Sequence, residues 1–377
     1  MNVLHITPAF YPATYWGGPI QSTYGLCNAL AKIEGVKLKV LTTDSSGRRV
    51  SQCLDIASSP HHYPNGYEVY FCRRILGASI SPGLFARLIP LTKWADVVHL
   101  TGAYSAPTIP GLLAGHVLGK PLVWSPRGAF QQWERARKRL PKMLWNKLCN
   151  VLIGNSVCVL HVTSPEEAAS SRSCIPNASV SLIPNGVDIP EYLPSKDWMP
   201  MGKLRLLYLG RLHPIKGIDR LIRALTLSEH LSPYLRIYGD GDSSYATSLR
   251  NLVRQLGLEG RVTFHGHVQD GDKLNAYMQS DVCVVPSFTE NFGMVVAESL
   301  AHGIPVIASR GAPWSELEQR GAGLWVDNSP REIATAVEKI AGSDLQVLGS
   351  LGRKWMLEKF RWDAIAARMS DVYHRIL

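Results

Sequence analysis

Glu290 and Glu298 stand eight positions apart in Glu290-Asn291-Phe292-Gly293-Met294-Val295-Val296-Ala297-Glu298, directly after the apolar run Val282-Cys283-Val284-Val285-Pro286. Eight positions make a little over two helical turns, so a helix over this stretch puts both carboxylates on one face, at the end where a buried strand delivers them. Open α/β sheets bind their ligands at that end. Two carboxylates with Asn, Phe and Gly between them suit a polyhydroxylated ligand better than they suit a core.

A second group of charges follows another apolar run. Leu204 to Gly210 reads as a strand, and Gly210-Arg211-Leu212-His213-Pro214-Ile215-Lys216-Gly217 places an arginine and a lysine five residues apart at its end. A guanidinium fork and a mobile ammonium there suit a diphosphate, most of all while negative charge grows on a departing nucleotide. Solvated loop charges are the plainer reading. The Gly-Lys-Ser/Thr ending of a phosphate loop is absent, which disfavours ATP hydrolysis.

Tyr15-Trp16-Gly17-Gly18-Pro19 closes the first strand-to-helix loop. Gly17 and Gly18 let a ligand approach the main chain, and the helix after Pro19 offers free N–H groups to a phosphate; a simple turn is the alternative. The spacing is not that of the dinucleotide fingerprint. Arg127, in Pro126-Arg127-Gly128, follows the strand ending at Trp124 and suits a phosphate or a sugar hydroxyl, with a surface arginine as the other reading. Thr163 or Ser164 is placed to cap a helix starting near Pro165. Asp240-Gly241-Asp242 and Asp270-Gly271-Asp272 read as turns rather than metal sites, and no metal is expected.

These residues need a scaffold. A chain of 377 residues, 46% apolar and 19% charged, is globular and too long for one growing core. Short apolar strands alternate with helical stretches from Val3 to Ser156–Leu160, and the pattern restarts at Leu204. Strands apolar on both faces belong to parallel sheets. Pro190 to Lys203 carries three prolines and has the composition of a linker. The expected fold class is therefore α/β, with Rossmann-like parallel-sheet domains over 1–195 and 196–355 and a cleft between the carboxyl ends of their strands. The helical tail 356–377 is expected to cross back to the first domain.

The net charge of +10 is uneven: residues 1–190 hold 18 basic and 9 acidic residues, and 191–377 hold 22 and 21. Much of the surplus lies in 133–147, Trp-Glu-Arg-Ala-Arg-Lys-Arg-Leu-Pro-Lys-Met-Leu-Trp-Asn-Lys. Such a segment suits an anionic bilayer surface, and an ordinary solvated helix fits equally well. No nucleic-acid-binding fold is recognisable, so no nucleic acid is expected. Seven cysteines without Cys-x-x-Cys spacing fit free thiols in a reducing cytoplasm. No secretory signal is apparent and no apolar run reaches the roughly 20 residues of a membrane span, so the expected location is cytoplasmic, with any membrane contact peripheral.

Taken in order, Gly17-Gly18, Arg211, Lys216, Phe264-His265-Gly266, the Glu290-to-Glu298 pair with Asn291-Phe292-Gly293, and Pro305-Val306-Ile307-Ala308 closely resemble the retaining glycosyltransferases of family 4, which have the GT-B fold. The resemblance covers nearly the whole chain. It implies two Rossmann-like domains facing each other across a cleft. It also implies transfer of a sugar from a UDP- or GDP-sugar donor to a glycan or lipid-linked acceptor, as in the assembly of surface polysaccharide, lipopolysaccharide or glycolipid.

On this resemblance Glu298 is the ribose-binding carboxylate and Glu290 contacts the donor sugar near its anomeric centre. Main-chain groups of Asn291, Phe292 and Gly293 touch the sugar or diphosphate. Arg211 and Lys216 clamp the diphosphate with the Gly18 backbone opposite, and His265 or its neighbours border the base. The implied reaction is front-face attack without a metal, the leaving phosphate helping to deprotonate the acceptor. Two departures stand out. The common Gly-Gly-x-Pro-Glu pattern is replaced by Arg310-Gly311-Ala312-Pro313-Trp314-Ser315-Glu316. Arg127 occupies a loop where many relatives carry histidine, which leaves it a charge-stabilising role and not that of a neutral base. A nucleotide-sugar-binding protein without turnover, a sucrose- or glycogen-type transferase and a sugar epimerase are the competing readings.

Overall fold

Successive apolar side chains of a strand point to opposite faces, and in this chain both faces find a core. A computed structural model describes residues 1–47, 49–56, 59–131, 139–154, 156–199, 202–268 and 270–377. The chain divides into two compact units, Met1–Gly186 with Trp362–Leu377, and Val187–Arg361.

The first unit contains strands β1 (Asn2–Ile6), β2 (Lys37–Thr43), β3 (His61–His62), β4 (Glu68–Cys72), β5 (Val97–Thr101), β6 (Leu122–Ser125), β7 (Cys158–Val162) and β8 (Ser179–Leu182). They form one sheet in the order β3-β4-β2-β1-β5-β6-β7-β8. Every pair is parallel except the antiparallel β3–β4. Helices α1 (Gly18–Leu30), α2 (Pro82–Trp94), α3 (Thr108–Val117), α4 (Arg139–Ile153) and α5 (Pro165–Cys174) connect them. Ser164 caps α5 by accepting from the Glu167 amide, with Pro165 in the first turn. Leu4 and Ile6 of β1 pack with Leu84, Leu112 and Trp124 on one face of the sheet. Val3 packs on the other with Leu26 and Leu30 of α1 and with Ile365 and Met369 from the far end of the chain.

A polar seam crosses that second face. The rings of His5 and His99, register partners in β1 and β5, stack at 4.4 Å. His161 Nε2 lies 3.0 Å from the Ile183 carbonyl, an acceptor only, so this nitrogen carries the proton and Nδ1 accepts from the Ser125 hydroxyl at 2.7 Å. The Ser125 oxygen then accepts from His99 Nε2 at 2.7 Å, and His99 Nδ1 accepts from the Tyr373 hydroxyl at 2.6 Å. Burial holds His99 and His161 well below the usual histidine pKa and brings His5 down to about 3, so all three are neutral.

The second unit contains β9 (Arg205–Leu209), β10 (Tyr234–Tyr238), β11 (Val262–Gly266), β12 (Val282–Val285), β13 (Val306–Ser309) and β14 (Gly323–Val326), parallel in the order β11-β10-β9-β12-β13-β14. One face packs on α6 (Ile218–Leu227), α7 (Ser243–Gln255) and α10 (Pro330–Ala341), the other on α8 (Asp270–Met278), α9 (Met294–Ala301) and α11 (Leu345–Lys359). The last helix, α12 (Trp362–Ile376), belongs to the first unit. Composition puts the break near residue 195; in the structure Val187 bridges to Arg361 in parallel and its amide donates to the Phe360 carbonyl at 2.8 Å.

Candidate active site

The order of the second sheet reverses beside β9, with β10 on one side and β12 on the other. Such a reversal opens a crevice at the carboxyl ends of the two strands, and the loops there are 210–217 and 286–293. In the first, His213 accepts from the Ile215 amide through Nδ1 and starts a short 3-10 turn, Pro214–Lys216. Gly217 ends it with φ 63°. A Cβ on Gly217 would lie 2.3 Å from the Pro286 carbonyl oxygen, so glycine alone lets the two loops close. The Phe288 amide then donates to the Ile215 carbonyl at 2.8 Å.

A third loop, after β13, locks the second. The Glu290 amide donates to the Gly311 carbonyl at 2.7 Å, the Ser309 hydroxyl to the Ser287 carbonyl, and the Trp314 indole N–H to the Phe292 carbonyl at 2.5 Å. A Cβ on Gly311 would meet the carbonyl oxygens of Ser287 and Phe288 at 2.5 Å.

On this frame Lys216 Nζ donates to Glu290 Oε1 at 2.5 Å, and the Ser287 hydroxyl donates to the same oxygen at 2.7 Å. Both side chains of the ion pair keep an edge to solvent, at 21% and 14% exposure. Arg211 is exposed on the same loop as Lys216.

The expectation of one helical face for Glu290 and Glu298 needs correction. Helix α9 begins at Met294, and Gly293 before it is left-handed with φ 78°, so Glu290 lies on the loop while Glu298 lies in the helix. Glu298 has separate partners: Lys273 Nζ is 3.4 Å from Oε1, and the Tyr277 hydroxyl donates to Oε2 at 3.1 Å. At the carboxyl ends of the neighbouring strands, His265 of β11 stacks on Tyr238 of β10 at 4.5 Å. Burial, with Arg236 nearby, lowers the His265 pKa. Asp242 is engaged as the cap of α7, accepting from the Ser244 and Tyr245 amides. Among the described residues there is no cluster of three or more His, Cys, Asp or Glu suited to a metal.

Three of the candidate residues lie in the first unit. Gly17, with φ 73°, is the N-cap of α1, and Gly18 opens that helix with Pro19 in its first turn. Arg127 has φ 54° and is not a surface arginine. Its Nη1 donates to Asn185 Oδ1 at 2.6 Å, while Nε and Nη2 are buried with no hydrogen-bond partner. Burial lowers its pKa, opposed by the charge of Glu167. That carboxylate organises the loop, accepting from the Gly128 amide at 2.6 Å and from the Thr163 amide and hydroxyl at 2.8 and 2.9 Å.

Residues 16–191 match the model of Glycosyltransferase Family 4, and residues 195–355 match that of Glycosyl transferases group 1. The chain belongs to glycosyltransferase family 4. Its relatives include an uncharacterized glycosyltransferase of Methanocaldococcus jannaschii, 32% identical over 56% of the family 4 chain and 57% of the relative. Another is the GDP-mannose-dependent alpha-(1-6)-phosphatidylinositol monomannoside mannosyltransferase of Mycobacterium tuberculosis, 33% identical over 56% of the chain and 60% of the relative. The match thus spans somewhat under two thirds of the length of these curated relatives.

Among solved structures, sucrose-phosphate synthase from Thermosynechococcus elongatus superposes with a TM-score of 0.75 at 22% identity, covering 100% of this chain and 99% of that one. Anabaena Alr3699/HepE in complex with UDP gives 0.74 at 18%, covering 100% of both. The fold of the family 4 chain is GT-B.

Lys273, Tyr277, Ser287, Tyr238 and Glu167 were not among the residues singled out in the sequence. Tyr238 ends β10 beside Gly239-Asp240-Gly241 but carries no charge, Ser287 meets Glu290 within one loop, and Lys273, Tyr277 and Glu167 reach the candidate residues by tertiary packing.

Proposed function

We propose that the chain transfers a sugar from a nucleotide-sugar donor to a glycan or lipid-linked acceptor, with retention at the anomeric carbon. The observation that carries this reading is the Lys216–Glu290 ion pair, held by three interlocked loops at the switch point of the second sheet. An ammonium has three donors, and Glu290 takes one. The others, with the Arg211 fork, suit the oxygens of a diphosphate.

Cleavage of the anomeric C–O bond moves an electron pair onto the leaving diphosphate. A cationic clamp stabilises that state more than the ground state. The acceptor oxygen forms the new bond from the same face, and its proton passes to the departing phosphate oxygen. Glu290 lies beside the donor sugar, the backbone of Asn291, Phe292 and Gly293 beside sugar or phosphate, Glu298 at the ribose and the His265–Tyr238 stack at the base. Within the first unit, Gly17, Gly18 and Arg127 suit a phosphate or a hydroxyl. The two unpartnered buried nitrogens of Arg127 support this role, because such donors are rarely left unsatisfied. No step draws on a metal ion.

Lys216→Ala tests the assignment. It should lower kcat by about 100-fold or more while donor Kd changes far less, measured with a panel of UDP-, GDP- and ADP-sugars. Loss of affinity alone contradicts the clamp. Binding across the panel without transfer or hydrolysis favours the reading as a nucleotide-sugar-binding protein.

The acceptor partner extends to an anionic membrane surface on the cytoplasmic side, supported by one layer of the first unit. Helices α2, α3 and α4 pack side by side. They expose Ile89, Val117, Leu140, Leu144 and Val151 and contain no carboxylate. Arg87, Lys93 and Lys147 are exposed on the same helices. A bilayer accepts such a face. Of the basic segment 133–147, residues 133–138 lie outside the described residues. Trp145 points inward, its indole N–H donating to the Ala103 carbonyl at 3.0 Å, so it does not contribute to that exposed face. No described helix is long and apolar enough to cross a membrane.

A further inference from the structure

Glu298 is held by two side chains that stand one turn apart on α8. Lys273 Nζ lies 3.4 Å from Oε1, and the Tyr277 hydroxyl donates to Oε2 at 3.1 Å. The Tyr277 support is rigid. Its ring is buried and stacks at 4.4 Å on His302, whose Nδ1 lies 2.6 Å from the Glu298 carbonyl oxygen. Lys273 is the charged member, and it and Glu298 keep 22% and 17% of their side chains exposed. An ionised carboxylate has about four acceptor positions. With one taken on each oxygen, one remains on each, and that is what a vicinal diol requires.

We propose that Lys273 is a positioning residue for recognition of the donor ribose. Its ammonium fixes the Glu298 carboxylate in orientation, so that both oxygens face the diol instead of turning toward solvent. Tyr277 fixes one oxygen; without Lys273 the other is free to rotate. The inference rests on the reading of Glu298 as the ribose ligand and adds a residue for which the sequence carries no signal.

The test compares binding of UDP and GDP, each beside its 2′-deoxy counterpart, to the full chain by calorimetry. A hydroxyl donated to a charged acceptor is worth about tenfold in affinity, so the wild-type chain should prefer the ribonucleotide by about that factor. Lys273→Met and Lys273→Gln should narrow the ratio to about threefold or less with the melting temperature maintained, and Lys273→Arg should restore most of it. Glu298→Gln should abolish the preference. If both neutral variants keep the wild-type ratio, Lys273 is only a structural ion pair and the inference fails, while the transferase reading stands. If the wild-type chain binds nucleotides without preferring ribose, the ribose assignment of Glu298 fails and takes the inference with it. If the wild-type chain binds no nucleoside diphosphate, the proposed function itself fails.

Discussion

Gly217 shows how closely the site depends on single residues. It is left-handed, and any Cβ would press on the Pro286 carbonyl. Gly217→Ala should destabilise the protein by about 1–3 kcal/mol. It should also reduce turnover by an order of magnitude or more, because the loops carrying Lys216 and Glu290 can no longer close. Thermal melts alongside donor hydrolysis check both, and a variant with wild-type turnover would show that the loop contact is dispensable. At this scale the charged residues were legible because residue type and a strand end coincide. Their partners were not, since Lys273 and Tyr277 meet Glu298 only when α8 packs on α9. The shared helical face predicted for Glu290 and Glu298 failed at one backbone angle: Gly293 is left-handed and starts the helix four residues after Glu290.

Among the elements, most of the parallel strands could be read directly, since runs such as Val282–Val285 are apolar on both faces, while β4, β8 and β14 were not singled out. The seam through His5, His99 and His161 was hidden, because a histidine in an apolar run gives no indication of which neighbour will share its proton. The seam has a pH consequence. Below the ordinary histidine value of 6.5 the unfolded chain takes up protons that the buried seam refuses, so stability is full above that pH and falls as pH drops toward the depressed folded-state values. The slope is up to about 1.4 kcal/mol per pH unit for each histidine. Melts between pH 7 and 4 should therefore decline steeply. Tyr373→Phe should lower stability at pH 7 by about 1–3 kcal/mol by leaving His99 Nδ1 without its donor. A flat profile between pH 7 and 4 would contradict the neutral seam.

For the whole molecule, the charge asymmetry localises further than its division into halves. Residues 69–165 hold 12 basic and 2 acidic residues, a surplus equal to the net charge of the chain. Sedimentation with anionic vesicles should exceed that with zwitterionic ones and fall as salt rises toward about 1 M. Leu144→Asp with Lys147→Glu should weaken it without altering transfer to a soluble acceptor. Equal recovery on both vesicle types would remove the membrane from the partner list. The two α/β units were legible from the restarting strand pattern, whereas the pairing of Val187 with Arg361 was not, because it joins segments far apart in sequence.

The first unit is discontinuous, and synthesis runs from N- to C-terminus. Residues 187–361 emerge as one uninterrupted unit, able to fold as soon as they clear the ribosome. The older part of the chain must wait for Trp362, whose ring sits so closely against Gly25 and Gly186 that neither could carry a methyl group, and for Tyr373 to complete the histidine seam. The half made first is therefore the half finished last, and for the time it takes to translate the other unit its unfinished core is a natural client for chaperones.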